Sequence, residues 1–467
     1  MKRSMARFRP SLAPSSLVFV VLIGFMVLSF LLGGGSRADI QSLVILRPVA
    51  ALVLGFALWK MTRLHLEQHR FLLALAASLV VLTLAHLLPL PEPVWSSLPG
   101  RGIVTEIDAA AGIGGAWRPL SLSPADTWNA LYSLLIPLAA LLLACQLSGR
   151  EMAALLLPMI ALALASGIFG ILQVVGDPTG PLYLYRITNN GSAVGLFSNR
   201  NHQAILLAML FPMLATYASL DAKSEETARL RSWLCLVAGA AVVPLILVTG
   251  SRAGLLIGGF GLVLAFFLYR KPQYSTPKKR RLRGLDLRYP GIAFGVLCLV
   301  AVTVILSRAE ALQRLASPDQ VEDLRFKVWG PIWQLGLSYF PAGSGIGSFA
   351  KVYEIHEPFS LLGPSYLNHA HNDWLEVLMT AGLPGVVVLA ALVGWFGRSM
   401  FRIVRRSGRQ SVSDQLAGLG GAIVLILGAG SVVDYPLRTP SLSVVFVIAL
   451  VWLSSSSSKA KTSGDKL

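Results

Sequence analysis

The chain alternates long apolar runs with short polar connections. Runs of roughly 18–20 residues recur from end to end, each long enough to cross about 30 Å of hydrocarbon as a helix. They predict spans at 17–32, 41–59, 71–90, 127–147, 152–174, 202–220, 233–249, 254–269, 291–307, 374–397, 416–433 and 440–454, about twelve in all. The runs do not alternate apolar with polar residues, which sets a membrane barrel aside and leaves helices. The expected fold class is an all-α polytopic membrane protein with about twelve transmembrane helices and one long, partly helical loop on the outer face. The basic start, Met1–Pro10, has the look of a signal peptide. Ser36-Arg37-Ala38 is a poor cleavage site and more spans follow, so a retained first helix is expected.

Composition agrees with this picture. Hydrophobic residues make up 54% and charged residues 13% of the chain, against about 25% charged in soluble domains. The net charge is +17. A soluble protein with that charge would be matched to nucleic acid, but in a polytopic protein Lys and Arg gather in cytoplasmic loops, and no nucleic-acid partner is expected. With both termini inside and the spans alternating, 27 of the 40 Lys and Arg residues fall inside. The opposite orientation would expose the runs KKRRLR (278–283) and RIVRR (402–406) on the outer face. Cys145, Cys235 and Cys298 lie in apolar runs without metal or disulfide spacing and read as packing residues.

Four outer connections then hold the informative polar residues: Pro91–Asp126, Asp177–Asn201, the tight turn Gly250–Gly254 and the long loop Arg308–Ala370. A loop of that length is functional or disordered in most compact proteins. Its Gly turns, aromatic residues and amphipathic stretch Leu324–Tyr339 predict that it is partly ordered and lies on the membrane face. No 20–50-residue repeat is present, and the Ser-rich tail 454–458 reads as disordered.

The candidate chemistry collects on that face. His371 opens an apolar run at its wet end, and an imidazole there can take a proton from a hydroxyl near neutral pH. A satisfied interfacial histidine is the bland alternative, and His369 could share or replace the role. Asn372 could orient a substrate or cap the helix. Arg252, in the short turn GSRAG, is either a snorkelling anchor or a fixed guanidinium for phosphate oxygens. Arg200 lies between Asn199 and Asn201 at the start of a span, followed by His202 and Gln203. Arg325 and Lys327 lie in the long loop. Singly these are surface charges as readily as ligands; together they suit an anionic diphosphate at the membrane surface. Asp434 and Arg438 are open to pairing with each other or with the site.

Other motifs carry less. His65 and His69 do not form HExxH, Gly343–Gly347 reads as a flexible turn rather than a dinucleotide loop, and GSAVG (191–195) is not a nucleophile elbow. No carboxylate cluster suggests a metal or a two-carboxylate glycosidase site. His86 and Arg47, inside predicted spans, are polar packing or cavity lining.

These residues resemble a known family. His371-Asn372, nine residues, then Gly382-Leu-Pro-Gly385 is similar to the signature of the O-antigen ligase and polymerase family. TGSRAG (249–254), GLFSNRNHQA (195–204), DLRFKVW (323–329) with PAGSGIGSF (341–349), and DYPLRTP (434–440) resemble further elements of that family in the same order, over roughly 190–440. The resemblance implies a metal-independent glycosyltransferase, without cofactor, in the bacterial inner membrane, with cytoplasmic termini and a periplasmic site. It would move a glycan from undecaprenyl diphosphate to an acceptor hydroxyl, on lipid A–core for a ligase or on another lipid-linked repeat for a polymerase. Carried over, Arg252 holds the diphosphate and His371 activates the acceptor. Arg200 and Arg325 assist, with Asn199, Asn201, Lys327, His369 and Asn372 as substrate-binding candidates. The implied organisation is N-terminal helices over 1–190, a catalytic region over 191–440 that includes the loop 308–370, and a last helix with a cytoplasmic tail over 441–467.

The ligase reading is preferred to the polymerase on the single large outer loop before the His motif. Transfer to protein is a lesser alternative. A transporter, from another class, would place its polar groups near the midplane between repeats rather than at one face.

Overall fold

The computed structural model describes residues 16–276, 320–363, 366–405 and 411–462. The predicted span 291–307, Cys298, the KKRRLR run and the first part of the long loop lie outside the described residues. Every other predicted span is a helix. In chain order these are α1 (Leu17–Leu32), α2 (Leu43–Lys60), α3 (Arg70–Ala85), α4 (Pro124–Ala144), α5 (Gly149–Val175), α6 (Arg200–Ser219), α7 (Glu225–Thr249) and α8 (Arg252–Leu268). The amphipathic stretch gives α9 (Gln320–Ser338), followed by α10 (Asp373–Arg405), α11 (Val412–Val433) and α12 (Pro440–Thr462).

Seven of the helices, α2, α4, α5, α6, α7, α10 and α11, are long and apolar enough to cross a membrane. The apolar helices of α1, α3, α8 and α12 are shorter. Strand is confined, among the described residues, to two short pairs, Pro89–Leu90 with Arg118–Pro119 and Ala222–Ser224 with Tyr274–Thr276. Leu52, Phe266 and Leu256 are 76–80% exposed on helix faces, which suits contact with lipid rather than water.

Prolines mark the breaks. α4 and α5 each lose helical continuity, at Leu134 and Leu155, three residues before Pro137 and Pro158. A proline ring clashes with the carbonyl four residues back, here Ser133 and Ala154, the last residues of the preceding segments.

Helix α6 is the axis of the bundle. It packs against α5, α7, α8 and α11, and only Arg200, Ala215 and Tyr217 along it are not buried. Close packing with α8 depends on small residues. A Cβ on Gly254 would come within 2.3 Å of the Ala204 Cβ, and one on Gly261 within 2.5 Å of the Ala208 carbonyl oxygen. Small residues at helical spacing let two backbones approach in this way inside a membrane.

The long loop builds a second, smaller core. Val328, Ile332 and Leu335 form one face of α9 and, with Tyr339 just after it, pack with Phe349, Val352, Tyr353, Ala370 and Met379. The segment 343–347, expected to be a flexible turn, is instead pinned on both sides. Ser344 N and Gly345 N donate to the Met379 and Thr380 carbonyls at 2.9 Å. Buried Arg101 donates to the Gly343 carbonyl at 3.0 Å and to Leu120 O at 2.7 Å, and His86 Nδ1 accepts from Ile346 N at 2.9 Å. As the acceptor from Ile346 N, Nδ1 is the unprotonated nitrogen of that ring. His86 is therefore packing rather than cavity lining.

Candidate active site

The site forms where the first turn of α6, the turn into α8, the face of α9, the loop before α10 and the end of α11 meet. Its centre is Asp434, the C-terminal cap of α11, whose side chain is fully buried. Asn201 Nδ2 donates to Oδ2 at 2.6 Å and Asn199 Nδ2 at 3.2 Å. The Arg325 guanidinium stands 3.7 Å from the same oxygen. The Tyr435 amide donates to Oδ1 at 3.0 Å, with His371 Nδ1 at 3.4 Å and His202 Nε2 at 3.8 Å from it. Burial alone would raise this carboxyl; Arg325, with His202 and His371, outweighs it and holds the group well below the ordinary carboxylate range. An ionised carboxylate in this position stays buried only because so many donors converge on it.

His371 is held by strained backbone. It is the one non-glycine residue with positive φ among the described residues, at 48°. The ring nitrogen facing Asp434 is close but off-line for a hydrogen bond. Burial lowers its pKa below the ordinary 6.5, and Asp434 opposes that shift. The ring is therefore neutral at pH 7, with one nitrogen turned to a carboxylate and the other left over.

His369 faces a different carboxylate. Its Nδ1 lies 3.1 Å from Glu376 Oε1, and Glu376 Oε2 accepts from Ala370 N at 2.9 Å. Arg438 does not pair with Asp434. It bridges Asp373 at 3.0 Å and Glu376 at 3.1 Å, and Asp373 also accepts from Ser431 Oγ. The two networks meet at Tyr435, whose ring centroid lies 4.6 Å from His369, 4.8 Å from His371 and 5.3 Å from His202.

The remaining sequence candidates divide. Arg252 is half-buried at the first position of α8. Its neighbour Ser251 donates to Asn201 Oδ1 at 2.7 Å and caps Gly254 N, so the turn is tied to Asp434 through one asparagine. Arg200 starts α6, its amide bound to Asn189 Oδ1. Asn372 caps α10, its oxygen accepting from Trp374 N and Leu375 N at 3.1 Å. Lys327 is exposed, two residues along α9 from Arg325, and is not brought to Asp434. His202, Tyr435, Glu376 and Asp434 itself are central to the arrangement, although the sequence reading set His202 and Asp434 at its edge and did not single out Tyr435 or Glu376. The signal for Asp434 was an ionisable residue closing an apolar run. Glu376 carried a weaker one, a carboxylate one turn into an apolar helix.

The glycines of the His motif act on backbone. Gly382 interrupts α10 at φ 56°, ψ −150°. Leu383 N turns away to the Pro341 carbonyl at 2.9 Å, and Pro384 has no N–H. The carbonyls of Met379 and Thr380 thus lose their helical partners and are satisfied by Ser344 and Gly345 instead.

Residues 234–390 match the family described as O-antigen ligase. This part of the chain is an O-antigen ligase domain. The match supports a membrane glycosyltransferase of the O-antigen ligase and polymerase type, a family that implies a lipid-linked glycan and a glycan acceptor as substrates. No curated protein matches the chain. Arg252, Arg325 and His371 lie within the O-antigen ligase match, while Asn199, Asn201, His202 and Asp434 complete their surroundings from outside it.

Proposed function

We propose that the protein is an O-antigen ligase of the bacterial inner membrane. It moves a glycan from undecaprenyl diphosphate to a hydroxyl of lipid A–core on the periplasmic side, with both termini cytoplasmic. The observation that carries this reading is His371, within the O-antigen ligase match, set 3.4 Å from buried Asp434 outside it. The Lys and Arg asymmetry supports the orientation.

In the proposed reaction, the His371 nitrogen turned away from Asp434 takes the acceptor hydroxyl proton. The acceptor oxygen bonds to the anomeric carbon as the bond from that carbon to the diphosphate oxygen breaks. Arg252, with Arg200 and Arg325, holds the departing diphosphate, so protein cations supply the positive charge. Asp434 holds the imidazole in the tautomer that leaves the outer nitrogen unprotonated.

The test is a gel of surface polysaccharide from a deletion strain complemented with wild type, Arg252→Ala or His371→Ala. Bare core with accumulated full-length lipid-linked polymer supports the ligase. Core capped by one repeat assigns the polymerase reaction instead. An unchanged ladder removes both. Full transfer by His371→Ala removes the base.

A further inference from the structure

Arg47 is the fifth residue of the apolar helix α2, and therefore about 6 Å along the axis from its start. Its Nη2 donates to Asn129 Oδ1 at 2.5 Å and Ser133 Oγ at 3.1 Å, both on α4. Both partners are neutral. Among the described residues no carboxylate pairs with Arg47, and its Nε is buried without a hydrogen-bond partner. Such a charge at the edge of hydrocarbon needs an anion. The residues beside its partners fix the level: Trp128 and Tyr132 are stacked at 5.8 Å and about half exposed, as aromatic side chains are at the lipid headgroups. The loop before α2 places this end of the helix with the candidate site, since Ser198 N donates to Gly34 O and Ser441 N to Gly33 O, both at 3.1 Å.

We propose that Arg47, Asn129 and Ser133 form a binding site for the phosphodiester of an anionic glycerophospholipid in the leaflet at that end. One guanidinium matches the single charge of a phosphodiester. A diphosphate would need the several cations found at the candidate site, so the glycan donor is the weaker fit.

The full-length protein, purified in detergent, is titrated with phosphatidylglycerol or phosphatidylcholine and bound lipid is read by native mass spectrometry. Wild type binds one phosphatidylglycerol about 10–100-fold more tightly than Arg47→Gln does, the loss expected for one charge-assisted pair. Phosphatidylcholine does not distinguish the two proteins. Ser133→Ala keeps the charge and loses only a few-fold, which separates lost binding from lost folding. Equal phosphatidylglycerol affinity in wild type and Arg47→Gln overturns the site. Displacement of phosphatidylglycerol by undecaprenyl diphosphate at lower concentration overturns the phospholipid assignment in favour of the donor.

Discussion

His371 sits at positive φ, where a non-glycine residue costs on the order of 1 kcal/mol or more. Its side chain is turned toward a carboxylate that three other donors already occupy. Stability and function are expected to part company here. His371→Gly relieves the backbone and should melt at or above the wild-type temperature, while transfer falls by roughly 10²–10⁴-fold. His371→Ala should lose the same activity without that gain, and differential scanning fluorimetry beside a transfer assay checks both. The pH profile is a second readout. In the proposed reaction the base is neutral, so activity should be lost as pH falls through the His371 pKa, which burial holds below 6.5. The acid limb should therefore lie below pH 6.5. Asp434 raises that pKa, so Asp434→Asn should move the limb further down while lowering the rate at every pH. A limb that moves up would contradict the arrangement.

Among the elements, the break in α10 decides the most. Two helical segments and the segment 341–347 share one set of backbone hydrogen bonds around Gly382. A Cβ at Gly382 would lie 2.2 Å from the Pro341 carbonyl oxygen, at dihedrals that other residues avoid. Gly382→Ala is expected to destabilise by about 3 kcal/mol. Gly394, in the same helix, has open space around its Cβ position, and Gly394→Ala should be neutral or stabilise by up to about 1 kcal/mol. Thermal unfolding of the two variants in one detergent compares them directly. The family motif thus joins two elements: its histidine is the proposed base, and its first glycine holds the loop that builds the wall behind it.

At the scale of the whole molecule, α1 to α8, α11 and α12 contribute to a single core. Trp452 on α12 donates to the Met152 carbonyl of α5, and Ser441 reaches back to Gly33. A fragment of residues 191–440 would keep the matched family region and most candidate site residues, yet expose the faces that α1, α2, α4 and α12 cover. It is expected to aggregate on size-exclusion chromatography where the full chain is monodisperse, and to be cut by trypsin faster.

Sequence by itself determined the helices, because each is a local consequence of apolar length and needs no knowledge of its neighbours. The His motif, the arginine turn and the asparagine pair were also legible, as residue types at short spacing. What it left open were partnerships across the chain: that Asn199, Asn201, Arg325 and His371 share Asp434, that His369 and Arg438 belong to Glu376, and that 341–347 completes a broken helix. Those pairs are separated by 7 to 235 residues. Only packing brings such groups within hydrogen-bond range, and buried charge selects which of them end up together, since a carboxylate excluded from water is stable only where several donors converge.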